Sequence, residues 1–474
     1  LPAVGSFPGQ VGFFDPAYIP VALDFIADKT EELNLPSVTL MNLGSIGGPT
    51  DGSSDICQAM DAFVQAGRIL VCGVGDDGGA DNRASGSYEL GDTLDIVIEK
   101  GAIGNLRFEC WYPDADRFSV QIVYPNGTET PVYPGPATNQ AAADQFPNSV
   151  ALYHRGADQE FYSASSPTRM IMADFSGATG TYIMRLICTQ RSATGDFSAS
   201  LNPATYANTN RFTTYVQGNG SINDYASAMR VITPTDYVYQ NTWTDIDGAA
   251  RGITGQGDPG EIWIGSSSGP TLDGRLGVDV AVPGEVIFTS YSAGTYYSQF
   301  RFNMIQGGQE VYGLQNAVSA CAPFLTGVIA LMLEINPDLE PEEARDLLRN
   351  YAREDAFTGA TPNTTWGHGK LDVKATIDAT WATVSIDGQL AEQGGWDIGP
   401  VPANSVLFYK WKGGSAPVEH VSATFYGMDG RKVWGQEQMP SGEGALDLQT
   451  VSAGLYILKL AAGPSVQSHL ILVQ

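Results

Sequence analysis

Apolar residues recur at helical spacing along the first part of the chain and alternate with short apolar runs. Residues 15–33 place Ile, Leu and Ala side chains on one face behind a proline, which predicts a helix. Residues 36–43 (PSVTLMNL) predict a buried strand, and residues 54–66 repeat the helical spacing. Gly67 ends that helix before the strand ILVCGVG. The order α-β-α-β predicts a parallel-sheet unit.

The pattern changes twice further along the chain. Residues 86–219 consist of short β-rich runs between Gly, Pro and Asn, which predicts an inserted all-β sandwich or jelly roll of about 140 residues. Residues 319–335 are apolar almost all round and predict a central buried helix, and an amphipathic helix follows from Pro341. After about residue 380 the pattern is β again and predicts a terminal β-sandwich.

These segments predict an α/β fold with a parallel sheet, an inserted β domain and a C-terminal β-sandwich. The predicted domains are the first part of the α/β domain, the insert, the second part of the α/β domain and the terminal sandwich. They span residues 1–86, 87–229, 230–380 and 381–474.

Composition excludes some classes of partner. The 474 residues carry 25 Lys and Arg against 52 Asp and Glu, a formal net charge of −27. Binding to nucleic acid or to an anionic membrane requires clustered cations, so neither partner is expected. The longest apolar run, residues 327–333, stops at Glu334, which is too short for a membrane span.

The five cysteines form neither a disulfide framework nor a CxxC metal motif. Cys110 and Cys188 lie in strand-like runs, so one bridge between them stays open, while Cys57, Cys72 and Cys321 lie on apolar segments and are predicted core residues. At least one thiol is expected to be free.

Four ordered blocks resemble the subtilisin-like serine peptidases. Residues 40–79, ending in RILVCGVGDDGG, are similar to the strand, loop, helix and Ala-Gly-Asn turn of that family. Residues 266–284 (SSSGPTLDGRLGVDVAVPG) resemble its SSRGPT…PDVxAPG segment, and VSACAPFLTG from Val318 resembles its GTSMAAPHVAG nucleophile helix. Residues 366–373 (WGHGKLDV) resemble the close of its catalytic domain. The resemblance implies a subtilisin-like parallel sheet.

Two further segments carry resemblances of their own. ECWYPDADRFSVQIVYPNG, in the insert, resembles the jelly-roll insert of clostridial Csp-type germination proteases. The final segment, from YGMDGRKVW to LILVQ, resembles the C-terminal sorting domain that the type IX secretion system of Bacteroidetes reads. This resemblance implies export, with the type IX machinery as partner and an extracellular or outer-surface location.

The resemblance assigns the nucleophile position to Ser319 and the oxyanion-hole Asn position to Asp76. A carboxylate accepts hydrogen bonds and opposes developing negative charge, and losing one oxyanion donor costs about 3 kcal/mol. The family's Gly-Thr before the serine is Ala317-Val318 here, and its His after the proline is Phe324. Without the flanking blocks, Ser319 would be interpreted as a helix N-cap.

The catalytic base and its acid are missing from this pattern. None of the histidines, His154, His368, His420 and His469, stands in a His-Gly-Thr context, and no Asp-Thr/Ser-Gly strand is present. By chain order both elements belong before Leu1. The chain begins without an initiator Met or a signal sequence, so a processed or truncated chain is expected. Its sheet is then expected to be incomplete on the N-terminal side.

Three hypotheses about function remain. The sequence favours an exported pseudoprotease with a structural, assembly or binding role, whose open sheet edge is covered by another chain or by neighbouring copies in an oligomer or filament. The alternative is the C-terminal fragment of an active endopeptidase, with Ser319 as nucleophile and the Asp and His supplied by a cleaved N-terminal piece. The third hypothesis, a pure carbohydrate- or ligand-binding module, is supported only by the β insert.

No cofactor is expected from the sequence. Asp76, Asp77 and Asp81 suggest calcium only weakly, because the loop GDDGGADN lacks a recognised ligand spacing. We interpret these acids as solvated turn residues.

Overall fold

The computed structural model describes residues 15–474 with short gaps and divides the chain into two compact units, Leu1–Ile377 and Asp378–Gln474. The gaps are residues 45–46, 137–144, 146, 156–167, 193–194, 204–208, 292–295, 308–309, 385–394, 400, 402, 413–419, 428–429, 441 and 463–464.

The first unit opens with the predicted α-β-α-β order. Helix α1 spans Tyr18–Leu33, strand β1 Ser37–Met41, helix α2 Asp55–Phe63 and strand β2 Arg68–Cys72. The two strands pair in parallel. Ile19 and Leu23 of α1 are buried, and Ser54 caps α2 by accepting a hydrogen bond from the Cys57 amide. The sequence prediction of a parallel-sheet unit is confirmed.

The insert is a sandwich of two antiparallel sheets. Its strands are β3 Arg83–Ser87, β4 Thr93–Lys100, β5 Leu106–Pro113, β6 Arg117–Val123, β7 Val150–Arg155, β8 Thr168–Phe175, β9 Gly180–Gln190, β10 Asp196–Asn202 and β11 Arg211–Phe212. The sheet orders are β3-β10-β5-β8-β7 and β11-β4-β9-β6. Phe108 of one sheet and Phe118 of the other lie in one core cluster. The jelly-roll assignment stays a prediction.

The chain then returns to the α/β layer. The strands are β12 Pro234–Val238, β13 Thr242–Thr244, β14 Ala250–Gly252, β15 Val280–Glu285, β16 Ile287–Ser290, β17 Met304–Gly307 and β18 Glu310–Gln315; the helices are α3 Val318–Ile335, α4 Pro341–Asn350 and α5 Val373–Val384. Strand β12 pairs in parallel with β15, and a parallel bridge from Val71 to Ile232 joins this pair to β2. The parallel strands therefore follow the order β1-β2-β12-β15.

Helix α3 packs against this sheet but is not buried all round, contrary to the sequence prediction. One face, including Leu325 and Ile329, is fully buried, whereas Phe324 is 40% exposed and Leu331 is 49% exposed. By length and composition alone α3 could cross a membrane, and it is the one described helix of which this is true. Its buried face belongs to the core of the first unit.

All five cysteines are free and buried. Cys110 lies on β5 and Cys188 on β9, which belong to opposite sheets of the sandwich. The bridge left open by the sequence is not formed, and the prediction that Cys57, Cys72 and Cys321 are core residues is confirmed.

The second unit is built from antiparallel strands. They are β19 Gly395–Gly399, β20 Val406–Lys412, β21 Val421–Gly427, β22 Lys432–Met439, β23 Glu443–Asp447, β24 Gly454–Ala462 and β25 Ser465–Val473. Their sheet orders are β19-β20-β23 and β22-β21-β24-β25, around one apolar core. The division between the two units falls within α5.

Candidate functional site

Acidic side chains stand in or just after three neighbouring parallel strands, toward their carboxyl ends. Asp76 follows β2, Asp236 lies in β12 and Glu285 ends β15. Because parallel strands end at one edge of a sheet, the three acids and the start of α3 lie at the same edge, where ligand sites of open α/β sheets form. This edge contains both residues that the sequence singled out, Asp76 and Ser319.

Two of these acids hold the backbone at the start of α3. Glu285 Oε1 accepts a hydrogen bond from the Ala317 amide at 2.8 Å, and Asp76 Oδ1 accepts one from the Val318 amide at 3.2 Å. Between them Ala317 adopts φ 70° and ψ −176°, a conformation that is essentially restricted to glycine. The start of α3 is therefore a strained backbone segment held by carboxyl groups on both sides.

Ser319 is the second residue of α3 and is exposed to solvent. Asn42 Nδ2 donates a hydrogen bond to its carbonyl oxygen at 3.1 Å. In the part of the chain that the structure describes, the Ser319 hydroxyl has no hydrogen-bond partner. Ala317 occupies the N-cap position without a side-chain cap, so the N-cap interpretation of Ser319 is wrong.

The two histidines of the first unit are engaged elsewhere. His154 is buried in the insert, with Nε2 2.7 Å from the Tyr112 hydroxyl. Burial and, secondarily, the neighbouring Arg169 lower the pKa of His154 to about 3, so its ring is neutral at physiological pH. Burial likewise lowers the pKa of His368, which lies beside Arg349 and Asp279.

The local environment favours the protonated forms of the three acids. Asp76 keeps access to solvent, yet the protein around its carboxyl group raises its pKa, and the Val318 amide opposes this shift. Burial raises the pKa of Glu285 to about 7. For the fully buried Asp236, burial first, then Glu285 and Asp76, raise the pKa well above the usual carboxyl range.

The acidic loop after β2 does not form a recognisable metal site. Burial raises the pKa of Asp77 to about 6, and the nearby Arg83 opposes that shift. The backbone amide of Asp77 donates a hydrogen bond to Ser267 Oγ at 2.9 Å. Asp81 sits in the left-handed region with φ 50°. Within the described ranges, no group of three or more His, Cys, Asp or Glu side chains is arranged to hold a metal ion.

Sequence reasoning missed Asp236 and Glu285. Both lie in largely apolar strand segments, VITPTDYV and GVDVAVPGE. An acid at the end of a buried parallel strand, on the edge that bears the candidate serine, was the available signal.

Comparisons with known proteins agree with this fold. The model of the subtilase family matches residues 29–369. Serine protease AprX of Bacillus subtilis (strain 168) is 30% identical over 124 residues, which are 26% of this chain and 27% of AprX, so the chain spans about a quarter of that relative. The CspB protease of Clostridium perfringens has a similar fold, with a TM-score of 0.60 at 17% identity over 79% of this chain and 72% of CspB. The chain belongs to the subtilase family.

Proposed function

We propose that this subtilase-family protein is proteolytically inactive and has a structural, assembly or binding role at the cell surface. The observation that carries the proposal is the hydrogen bond from the Val318 amide to Asp76 Oδ1. At the position where the family places an oxyanion donor, this chain presents an acceptor that already occupies the first amide of α3.

The hydrogen bonding of the site supports this proposal. Glu285 Oε1 accepts from the Ala317 amide and Asp76 Oδ1 accepts from the Val318 amide, so the first two amides at the start of α3 are already engaged and do not point to an oxyanion formed at Ser319. Catalysis of acyl transfer relies on preorganised donors at that point, and one lost donor costs about 3 kcal/mol.

The surroundings of Ser319 support it as well. A serine hydroxyl is a weak nucleophile until a neighbouring base removes its proton. The Ser319 hydroxyl has no base among the described residues, and His154 is a buried neutral side chain of the insert.

A second candidate function is kept because of the exposed serine and the edge strand. In it, this chain is the C-terminal part of an active extracellular endopeptidase, with Ser319 as nucleophile and an Asp and a His supplied by a separate N-terminal piece. Among the described strands β1 pairs with β2 alone, so its other edge offers unpaired backbone groups to such a piece. The same edge could instead receive a neighbouring copy in a homo-oligomer or filament.

Export belongs to the proposal and rests on the resemblance of the terminal segment to type IX sorting domains. The antiparallel second unit is compatible with a separately recognised domain. The type IX secretion machinery is the proposed partner, and the extracellular space or the outer cell surface is the proposed location.

Intact mass with peptide mapping of the purified protein, followed by light scattering, separates the two functions. The pseudoprotease proposal expects no accompanying polypeptide with an Asp-Ser/Thr-Gly strand and a His-Gly-Thr segment, and it expects oligomers of this chain alone. A stoichiometric polypeptide that carries both segments would make the endopeptidase the better account.

A further inference from the structure

Four aliphatic side chains lie together on the solvent face of strands β24 and β25 in the second unit. The two strands pair so that Leu455 lies opposite Leu472 and Ile457 lies opposite Leu470. Directly opposed residues of an antiparallel pair have Cβ atoms about 5 Å apart, so the four side chains are neighbours. They are between 37% and 59% exposed, whereas the alternate residues of both strands, such as Leu458, face the core. Single exposed apolar residues are ordinary, but a contiguous group marks an interaction site.

The patch has an apolar centre and a polar border. The row of Ile457 and Leu470 continues onto β21, where the partly exposed Tyr426 lies opposite Ile457. The next row on the same face is polar and consists of residues 424, 459 and 468, a Thr, a Lys and a Ser. Apolar side chains surrounded by polar ones are the usual arrangement of a protein interface.

The sequence of both strands is typical of strands that are covered on both faces. Residues 455–458 (LYIL) in β24 and 470–473 (LILV) in β25 are continuous apolar runs. An antiparallel strand with one solvated face alternates apolar and polar residues instead. Strand β22, at the other edge of the same sheet, carries Lys432, Gln436 and Glu437 and is mostly exposed. The apolar solvent face is therefore a property of the β24–β25 pair and not of the whole sheet.

The distribution of charge favours a second copy of the chain as the partner. Two copies with a net charge of −27 repel each other. Residues 378–474 carry five Lys and Arg against nine Asp and Glu, a net charge of only −4. The second unit is thus the part of the chain at which two copies meet with least repulsion. A strongly charged partner would find no complementary charge on the aliphatic rows.

We propose that this patch is a self-association surface, on which the same patch of a second copy packs face to face. The inference rests on the assembly role proposed above and names its surface. A two-fold axis brings identical aliphatic rows together, as in an isologous interface, and the side chains of two such sheets interdigitate. Five side chains make a small interface, so the dimer is weak, with a dissociation constant above about 1 µM.

Sedimentation equilibrium of the full chain, from about 1 µM upward and in about 0.15 M salt, tests this proposal. The weight-average mass of the wild type is expected to rise with concentration. Leu470→Lys, at the most exposed residue of the patch, should raise the dissociation constant at least about tenfold, because two like charges then face each other across an apolar contact.

The matched control is Phe408→Lys. Phe408 is 57% exposed on β20, in the other sheet of the same unit, so this substitution adds the same charge away from the patch and should leave association unchanged. Circular dichroism checks the fold of each variant, and Leu472→Lys serves if Leu470→Lys does not fold.

Three results would overturn the proposal. A wild type that stays monomeric at every concentration would assign the patch to a different partner, such as the proposed secretion machinery. Equal weakening by Phe408→Lys and Leu470→Lys would indicate an effect of charge alone. Oligomers that persist unchanged in Leu470→Lys would contradict this surface and leave the proposed assembly role standing. The proposed inactivity is read separately, from labelling of Ser319.

Discussion

Asp76 Oδ1 accepts the hydrogen bond of the Val318 amide, one residue before Ser319. An acid from the turn after β2 thereby takes the first amide of α3, at the helix end where the partial positive charge of the dipole concentrates. This relationship links the turn, the helix and the candidate serine in one contact.

Replacing Asp76 by Asn tests whether the oxyanion position alone limits activity. Asp76→Asn restores a donor and can still accept from Val318 through its amide oxygen. Because Ser319 has no base among the residues that the structure describes, we expect peptidase activity of this variant, measured with a fluorogenic peptide, to stay at the level of Ser319→Ala. A rise of about a hundredfold, the usual worth of one such donor, would show that a base is present.

Ala317→Gly should stabilise the protein. Ala317 lies at φ 70° and ψ −176°, which costs a residue with a Cβ about 1–3 kcal/mol. Glycine relieves this strain but adds freedom to the unfolded chain worth up to about 1 kcal/mol, so a net gain of about 1 kcal/mol is expected in denaturant unfolding.

The matched control lies on the same helix. Ala330→Gly, at an exposed position inside α3, should destabilise by about 1 kcal/mol, the ordinary cost of glycine in a helix. Destabilisation by both substitutions would contradict the assignment of strain to Ala317.

Lys370 should contribute strongly to the stability of the first unit, because its ammonium group is buried and has several partners. It is 2% exposed, and its Nζ donates to Gly260 O and Asp355 Oδ2, both at 2.6 Å. Three aromatic rings lie 4.9 to 5.0 Å from Nζ, those of Tyr237, Phe357 and Trp366. Removing one partner of a buried ion pair leaves the other unpaired, so Lys370→Met should cost about 2 kcal/mol or more.

Lys29→Met is the control for that measurement. Lys29 pairs with Glu32 on the exposed side of α1, and surface pairs of this kind contribute less than about 1 kcal/mol. The free energies of unfolding of both variants are measured by chemical denaturation. Equal losses in Lys370→Met and Lys29→Met would contradict the prediction.

The thiols provide a test of the core. All five are buried, and burial raises the pKa of Cys72 to about 12, so the reactive thiolate is scarce in the folded protein. Titration with a thiol reagent should detect almost no reaction in native protein and five thiols after denaturation without reductant. Three thiols after denaturation would indicate a disulfide and contradict the structure.

The sequence could predict those elements that have a clear period. The α-β-α-β start and α3, which begins one residue before its predicted position, follow from runs whose spacing fits one type of structure. The burial of Cys57, Cys72 and Cys321 also follows from their apolar surroundings, whereas the sequence left open whether Cys110 and Cys188 form a bridge.

The candidate site could be predicted only where a motif surrounds it. Ser319 and Asp76 were found through flanking blocks, whereas Asp236 and Glu285 were missed because their importance lies in contacts between strands far apart in the chain. The left-handed conformation of Ala317 depends on two such contacts and has no local signal. The exposure of Phe324 was missed because apolar composition does not say which faces of a helix have a neighbour.

Labelling of the full chain with a fluorophosphonate probe tests the proposed inactivity most directly, since that reagent modifies only a serine activated by a base. We expect no labelling of the wild type above the level of Ser319→Ala. Stoichiometric labelling that disappears in Ser319→Ala would contradict the account and identify Ser319 as a working nucleophile.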